Sequence, residues 1–115
     1  MTPGVVHPGA GEEGSRVVFM TAPDAGVAEA VVRTLVEEGM ATCGTLIPGV
    51  VSIYRWMGEV ERQEEVQVIL KTGAQRVPAL LARAAELHPY DVPELLVLPV
   101  VGGLPAYLAW VEGGG

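Results

Sequence analysis

Two side chains in this sequence, Cys43 and His88, belong to the types that bind copper ions most strongly. The chain has one cysteine and two histidines, and the other histidine, His7, lies in a Gly/Pro-rich amino-terminal stretch. The thioether of Met20 adds a third soft donor. These three residues are therefore candidate ligands for a copper ion. The competing interpretation is structural, because a lone strand cysteine is often buried and a helix-terminal histidine often bonds the last carbonyls.

A second group of side chains combines aromatic rings with charged groups. Aromatic rings in a chain that has so few of them either line a pocket for a small ligand or anchor a subunit interface. A lysine close to glutamates forms either a polar site or a structural ion pair. The residues in this group are candidates for a cleft between subunits: Tyr54, Trp56, Glu64, Lys71, Tyr90, Glu94 and Trp110.

The composition narrows the class of protein. Seven basic residues against 14 acidic ones give a formal charge of −7, which argues against nucleic acid as a partner and favours cations. No apolar run reaches the roughly 18 residues of a membrane span. A single cysteine excludes an intrachain disulfide framework and indicates a reducing compartment. Half of the residues are apolar, more than one small domain needs to hide, so we expect self-association.

The sequence lacks the motifs of common catalytic sites. It contains no GxSxG, Walker loop, HExxH, or GxGxxG after a strand. Cys43 and His88 could form a nucleophile and base, but no local signature or orienting residue accompanies them. We therefore expect a protein that is not an enzyme.

The hydrophobic pattern predicts a single domain with the element order βαββαβ and a short carboxy-terminal helix. The break at Pro48-Gly49 predicts either two short strands or one bent strand at that point. This order is the α+β, ferredoxin-like arrangement. The predicted strands are 16–22, 42–56, 60–72 and 94–100; one helix is capped by Asp24, a second has Pro78 in its first turn, and the last spans 105–111.

The ends of the chain are expected to lie outside the domain. Residues 1–15 are predicted to be a flexible leader, because they are rich in Gly and Pro and show no apolar period. The domain itself is predicted to span 16–112. Three closing glycines, 113–115, are predicted to be a frayed tail.

Several sequence blocks, in this order and spacing, resemble the CutA divalent-cation tolerance proteins. The likeness runs from about Val17 to Trp110, through Cys43, IPG at 47–49, SIYRWMGE at 52–59, KT at 71–72, HPY at 88–90, PE at 93–94 and YL at 107–108. The sequence departs from the pattern at Met20 and Leu87, where some members carry a further cysteine and a further histidine. The copper ligands proposed for some relatives therefore transfer only to Cys43 and His88, with Met20 as a soft replacement.

The resemblance implies a ferredoxin-like subunit, a homotrimer similar in architecture to PII signalling proteins, a cytoplasmic location, and a role in tolerance of copper and other divalent metal ions. Two alternatives stay open at this point. One is a PII-like sensor whose intersubunit cleft binds a small anionic metabolite, for which Lys71 and Arg55 are the candidate basic groups. The other is a trimeric assembly module that presents its surface to another protein.

Overall fold

A computed structural model of the chain describes residues 13–115, so most of the predicted leader lies outside the described residues. The elements follow the predicted order, with a 3₁₀ turn (Ala74–Arg76) ahead of the second helix. The fold class is the predicted α+β arrangement. Its elements are β1 (Ser15–Ala22), α1 (Ala25–Glu37), β2 (Cys43–Trp56), β3 (Glu59–Gly73), α2 (Val77–Leu87), β4 (Leu96–Pro99) and α3 (Pro105–Gly113).

Local signals in the sequence set the ends of the helices. The Asp24 side chain accepts a hydrogen bond from the Val27 N–H at 2.8 Å, which confirms the predicted cap of α1. Gly39, just beyond α1, has φ +78°, a conformation that glycine adopts without steric cost. Pro78 lies in the first turn of α2, where its missing N–H has no partner to lose.

The four strands form one antiparallel sheet in the order β2-β3-β1-β4. Alternate residues of a strand point to opposite faces of the sheet. One face, called here the core face, is covered by α1 and α2 and buries Val18, Met20 and Ala22 of β1 against the helices. The opposite face, called here the open face, therefore carries the intervening residues, such as Val17 and Phe19.

The third helix is anchored near one end of the open face. The Thr42 hydroxyl donates to the Val111 carbonyl oxygen at 2.6 Å, and Arg76 Nη2 donates to the same oxygen at 2.7 Å. Arg76 Nη1 also donates to the Glu112 carbonyl oxygen. These donors satisfy carbonyls that a helix end would otherwise leave without partners.

The strand β2 carries one extra residue relative to β3. Ile47 lies opposite Gln67 and Val50 lies opposite Glu65, so Pro48 and Gly49 together face a single residue of β3. This is a β-bulge, and Gly49 has φ +75° within it. Of the two alternatives predicted at Pro48-Gly49, the structure has the single bent strand.

Several element boundaries differ by one or two residues from the predicted ones. β4 spans Leu96–Pro99 rather than 94–100, because its pairing partners on β1 are limited to Arg16–Phe19. β1 begins at Ser15, which pairs with Gly73, although the sequence predicts residues 1–15 to be the leader. α3 extends to Gly113, and the N–H groups of Gly114 and Gly115 donate to carbonyls of its last turn, so the predicted frayed tail is hydrogen-bonded.

We expect Gly44→Ala to destabilise the fold, because Gly44 lies on the core face where α1 crosses β2. An added Cβ would stand 2.6 Å from Val32 Cγ1 and 2.9 Å from Leu70 Cδ2, which is overpacking. The free energy of unfolding should fall by about 1–3 kcal/mol, measured from urea midpoints at one protein concentration. Gly102→Ala is the control, since no atom would lie within 4 Å of its Cβ. Equal midpoints for the two variants would contradict this packing.

Candidate functional site

Cys43 lies at the start of β2 on the open face and is half-buried. Its partner across the ladder is Lys71, whose Nζ lies 3.9 Å from the Cys43 Sγ. The hydroxyl of Tyr107, from α3, also lies 3.9 Å from this sulfur. The thiol is therefore reachable from one side, and an ammonium group and a phenol are its polar neighbours.

Met20 lies on the other side of the sheet from Cys43. Its side chain is completely buried on the core face, opposite Val68, whereas Cys43 and Lys71 project from the open face. A sulfur enclosed in an apolar core has no route to an ion at the open face. Within this chain, Met20 and Cys43 therefore do not share a metal ion.

His88 ends α2 and is buried, with both ring nitrogens in hydrogen bonds. Nε2 lies 2.7 Å from the Thr21 carbonyl oxygen, which can only accept, so Nε2 carries the proton. Nδ1 accepts a hydrogen bond from the Tyr90 N–H at 3.1 Å. The imidazole joins the end of α2 to β1 and offers no free lone pair to a metal ion.

The three predicted ligands are thus not brought together within the chain. Within residues 13–115, no group of three or more His, Cys, Asp and Glu side chains is placed to hold a metal ion. The described side chains of this chain alone do not form a closed copper centre. Of the three, Cys43 is the one with an available donor atom.

The larger cavity lies between the β2–β3 hairpin and the loop that joins α2 to β4. Its volume is about 560 Å³, within the range of small-molecule sites. The hairpin forms one wall and the loop forms the other. The lining residues are Thr21, Ser52, Ile53, Tyr54, Trp56, Gln63, Glu65, Tyr90, Asp91, Val92 and Glu94.

A chain of hydrogen bonds crosses this cavity from the hairpin to the loop. The Tyr54 hydroxyl donates to Gln63 Oε1 at 2.8 Å, and Gln63 Nε2 donates to the Tyr90 hydroxyl at 3.3 Å. The Tyr90 hydroxyl then donates to Glu65 Oε2 at 2.9 Å. Glu65 is only 6% exposed, so the chain ends on a buried carboxylate.

The environment of Tyr90 raises the pKa of its hydroxyl above the usual value of 10.0. Burial contributes most, because it disfavours the charged phenolate, and the hydrogen bond to Glu65 adds to it by holding the proton between two oxygens. Tyr90 therefore stays a hydrogen-bond donor to Glu65 at neutral and moderately alkaline pH.

The cavity contains four of the predicted cleft residues: Tyr54, Trp56, Tyr90 and Glu94. The other three lie elsewhere. Glu64 is exposed on β3, Lys71 lies beside Cys43, and Trp110 packs against Tyr107 in α3 with ring centroids 5.5 Å apart.

The cleft residues predicted from the sequence include Glu64, which does not line the cavity. They omit its two neighbours Gln63 and Glu65, which do. The alternation of the sequence could have identified Gln63 and Glu65. Val66, Val68 and Leu70 mark one face of β3, so residues 63 and 65 must lie on the opposite face. The bulge brings Ser52, opposite Gln63, onto the same face. Asp91, also omitted, lies in the loop, where no periodic pattern marks it.

The fold and the comparisons with known proteins define the class. The family model described as CutA1 divalent ion tolerance protein matches residues 16–113. A divalent-cation tolerance protein CutA from Pectobacterium atrosepticum is 46% identical over 96 residues, which cover 84% of this chain and 87% of that relative. In the part of the chain that is described, no helix is long and apolar enough to cross a membrane.

Two solved structures agree with the fold. The crystal structure of CutA from Xylella fastidiosa matches with a TM-score of 0.85 and 43% identity, over 87% of this chain and 96% of that chain. The divalent cation tolerance protein from Thermus thermophilus matches with a TM-score of 0.85 and 41% identity, over 87% and 97% of the two chains. The fold is thus that of the small α+β proteins that are named for divalent-cation tolerance. The chain belongs to the CutA divalent-cation tolerance family.

We expect Tyr90→Phe to destabilise the protein, because the buried Glu65 carboxylate would lose its donor. The free energy of unfolding should fall by about 1–3 kcal/mol, measured from urea midpoints at pH 7. Tyr107→Phe is the control, since its hydroxyl makes a long contact with a sulfur. An unchanged midpoint for Tyr90→Phe would contradict the role given to this hydrogen bond.

The raised pKa of Tyr90 also predicts a pH dependence of the free energy of unfolding. As the pH rises, Tyr90 loses its proton in the unfolded chain before it does so in the folded protein, so wild-type stability should decline above about pH 10.

Proposed function

We propose that this chain works as a non-enzymatic homotrimer in the cytoplasm, that it serves divalent-cation tolerance, and that copper is an ion it binds. The uncovered apolar part of the open face is the observation that carries the assembly. The single reduced cysteine supports a cytoplasmic location.

The open face supports assembly because apolar side chains lie on it without a covering element. α3 packs near one end, while β4 leaves Leu96 and Leu98 exposed beside Phe19 and Val17 of β1. Leu96 is 57% exposed. β2 is an edge strand of the sheet along its whole length, and unpaired edge groups are usually protected in stable proteins. A second copy of the chain would cover both the apolar surface and the edge strand. That the assembly contains three copies is implied by the resemblance to the family.

The assembly has a direct test in solution. Light scattering at micromolar concentration should give about 36 kDa, three times the 12.1 kDa chain. Leu96→Asp should shift the protein to a smaller species, because a buried unpaired charge opposes association. Val36→Asp is the control, since Val36 is 38% exposed on α1, which covers the core face. A mass of one chain for the wild type would contradict the proposed homotrimer. A mass of three chains for Leu96→Asp would show that Leu96 does not lie in the interface.

Copper binding is proposed to occur through the Cys43 thiolate. Cys43 is half-buried on the open face, and thiolate sulfur is a soft ligand that suits Cu(I). The other donors must come from outside the subunit, because Met20 is enclosed and the His88 nitrogens are engaged. We assign these two residues to packing and to loop anchoring.

For copper we expect Cys43→Ser to abolish tight Cu(I) binding and His88→Ala to leave it unchanged in the folded protein. A competition assay against a Cu(I) chelator measures both affinities. Wild-type binding should weaken as the pH falls, because the thiol must lose its proton to bind. The contrary outcome is that wild type and Cys43→Ser bind Cu(I) with equal affinity and that this affinity falls as salt is added. It would show that the acidic surface attracts copper ions non-specifically.

The proposal that the protein is not an enzyme is supported by the separate positions of Cys43 and His88, the two residues that could have formed a nucleophile and a base. Cys43 has Lys71 and Tyr107 as its polar neighbours, whereas His88 bonds Thr21 and Tyr90. A nucleophile and its base must lie within hydrogen-bonding reach of each other, and this pair has other partners.

A sensor for anionic metabolites is the less favoured alternative. The residues that line the larger cavity include no lysine and no arginine, while Lys71 lies beside Cys43. An anion would meet carboxylates in that cavity rather than donors of positive charge.

A further inference from the structure

The last turn of α3 is held by two donors that lie outside the helix. Arg76 Nη1 donates to the Glu112 carbonyl oxygen at 3.0 Å, and Arg76 Nη2 donates to the Val111 carbonyl oxygen at 2.7 Å. The Thr42 hydroxyl donates to the same Val111 oxygen at 2.6 Å. Arg76 Nε in turn donates to the Thr72 hydroxyl at 3.2 Å, which fixes the guanidinium against β3. These bonds are called here the α3 clamp.

The clamp belongs to a single chain. All of its donors and acceptors are atoms of one copy, so its bonds do not depend on whether a neighbouring copy covers the open face. Guanidinium donors also form stronger hydrogen bonds to carbonyl oxygens than neutral donors do. The end of α3 is therefore held in the same way in one chain and in an assembly.

The rest of α3 is held less firmly by its own chain. Val111 is its buried residue within the chain, and it also lies in the last turn. A cavity of about 190 Å³ separates part of the helix from β1 and β3. Gly102 and Gly103 precede the helix, and a pair of glycines lets the backbone change direction at little steric cost. Release of the clamp would thus let α3 turn about these glycines.

The helix places Tyr107 beside the Cys43 thiol. Tyr107 lies four residues before Val111, so both project from the same side of α3. The Tyr107 hydroxyl is 3.9 Å from the Cys43 Sγ. Thr42, which takes part in the clamp, directly precedes Cys43 in the chain. The position of α3 therefore decides how much of the thiol is covered.

We propose that Arg76 is a positioning residue for the Cys43 thiol. With the clamp closed, α3 holds Tyr107 beside the sulfur; with the clamp open, α3 turns away and the thiol becomes easier to reach. Local opening of this kind takes place without unfolding of the whole domain. The proposal rests on the Cu(I) binding proposed for Cys43, because it adds control of access to that same thiol.

The rate at which Cys43 reacts with a chromogenic disulfide reagent measures access to the thiol. Cys43 is the one cysteine of the chain, so the reagent reports on a single site. Arg76→Met should raise this rate about tenfold or more in the assembled full chain at pH 7, because hydrogen bonds from a charged donor are lost. Arg76→Lys keeps a charged donor but not the planar fork, so its rate should lie between the two. Equal rates for wild type and Arg76→Met, including no reaction in either, would overturn the proposal.

A matched control separates loss of the clamp from a general loss of stability. Tyr90→Phe is expected to destabilise the fold at the Glu65 carboxylate, away from α3, so its Cys43 should react at the wild-type rate. In Arg76→Met, amide hydrogen exchange should be faster in residues 104–113 and unchanged in α1. A rise in thiol rate that is equal in Arg76→Met and Tyr90→Phe would show that stability, not the clamp, sets access to the thiol.

A double variant tests the part played by Tyr107. Tyr107→Ala should itself raise the thiol rate, because the ring no longer lies beside the sulfur. Adding Arg76→Met should then change the rate by less than about twofold, since both substitutions act through the same side chain. Effects that multiply in full would contradict a clamp that acts through Tyr107.

A milder variant keeps the test decisive if Arg76→Met does not assemble. Thr42→Val removes the hydroxyl donor to the Val111 carbonyl and keeps the shape of the side chain. Its thiol rate should rise about threefold, and an unchanged rate would argue against the clamp.

Copper is tested separately from the clamp. The rate at which Cu(I) passes from a chelator to the protein should rise in Arg76→Met by the same factor as the thiol rate. If the wild type takes up no Cu(I), the copper proposal fails, while the thiol rates still decide on the clamp. If Cu(I) binds at Cys43 but both rates are the same in wild type and Arg76→Met, the clamp proposal fails and the copper site stands.

Discussion

The pairing of β2 with β3, with one extra residue in β2, is the constraint on which both candidate sites depend. Side chains on a strand alternate between two faces, so a single added residue moves every later side chain to the opposite face. Before the bulge, odd-numbered residues such as Cys43 project from the open face. After it, even-numbered residues such as Ser52 and Tyr54 do so, which places them beside Gln63. Without the bulge, Tyr54 would project from the face opposite to Gln63 and the hydrogen-bond chain to Tyr90 could not form.

The sheet also separates the soft ligands from one another. Met20 and Cys43 both lie on strands of one small domain, yet they project from opposite faces, and the sheet itself stands between them. His88 is held by a carbonyl of β1 and by the backbone of its own loop. Residues of the right type for copper therefore lie apart, and two of them are engaged in packing or in hydrogen bonds within the chain.

The same sheet gives the Cys43 thiol and the cavity near Glu65 different chemical surroundings. The thiol of Cys43 lies beside the ammonium group of Lys71, and a soft thiolate is the ligand type that suits the Cu(I) binding proposed above. The cavity near Glu65 offers oxygen and aromatic rings and no sulfur. The chain thus has one surface region that contains sulfur and one cavity that is lined by oxygen atoms and aromatic rings.

The sequence by itself determined the element order, the cap at Asp24, the bend at Pro48-Gly49 and the family, because these depend on local residue types and on blocks close together along the chain. It also grouped Tyr54 and Tyr90 as candidates for a cleft between subunits, and the two residues line one cavity within the chain. It did not separate Glu64 from Glu65, since the two adjacent carboxylates differ only in the face from which they project. That difference, the enclosure of Met20 and the engagement of both His88 nitrogens were decided by tertiary structure, because strand register and packing against distant elements determine which neighbouring atoms each side chain meets.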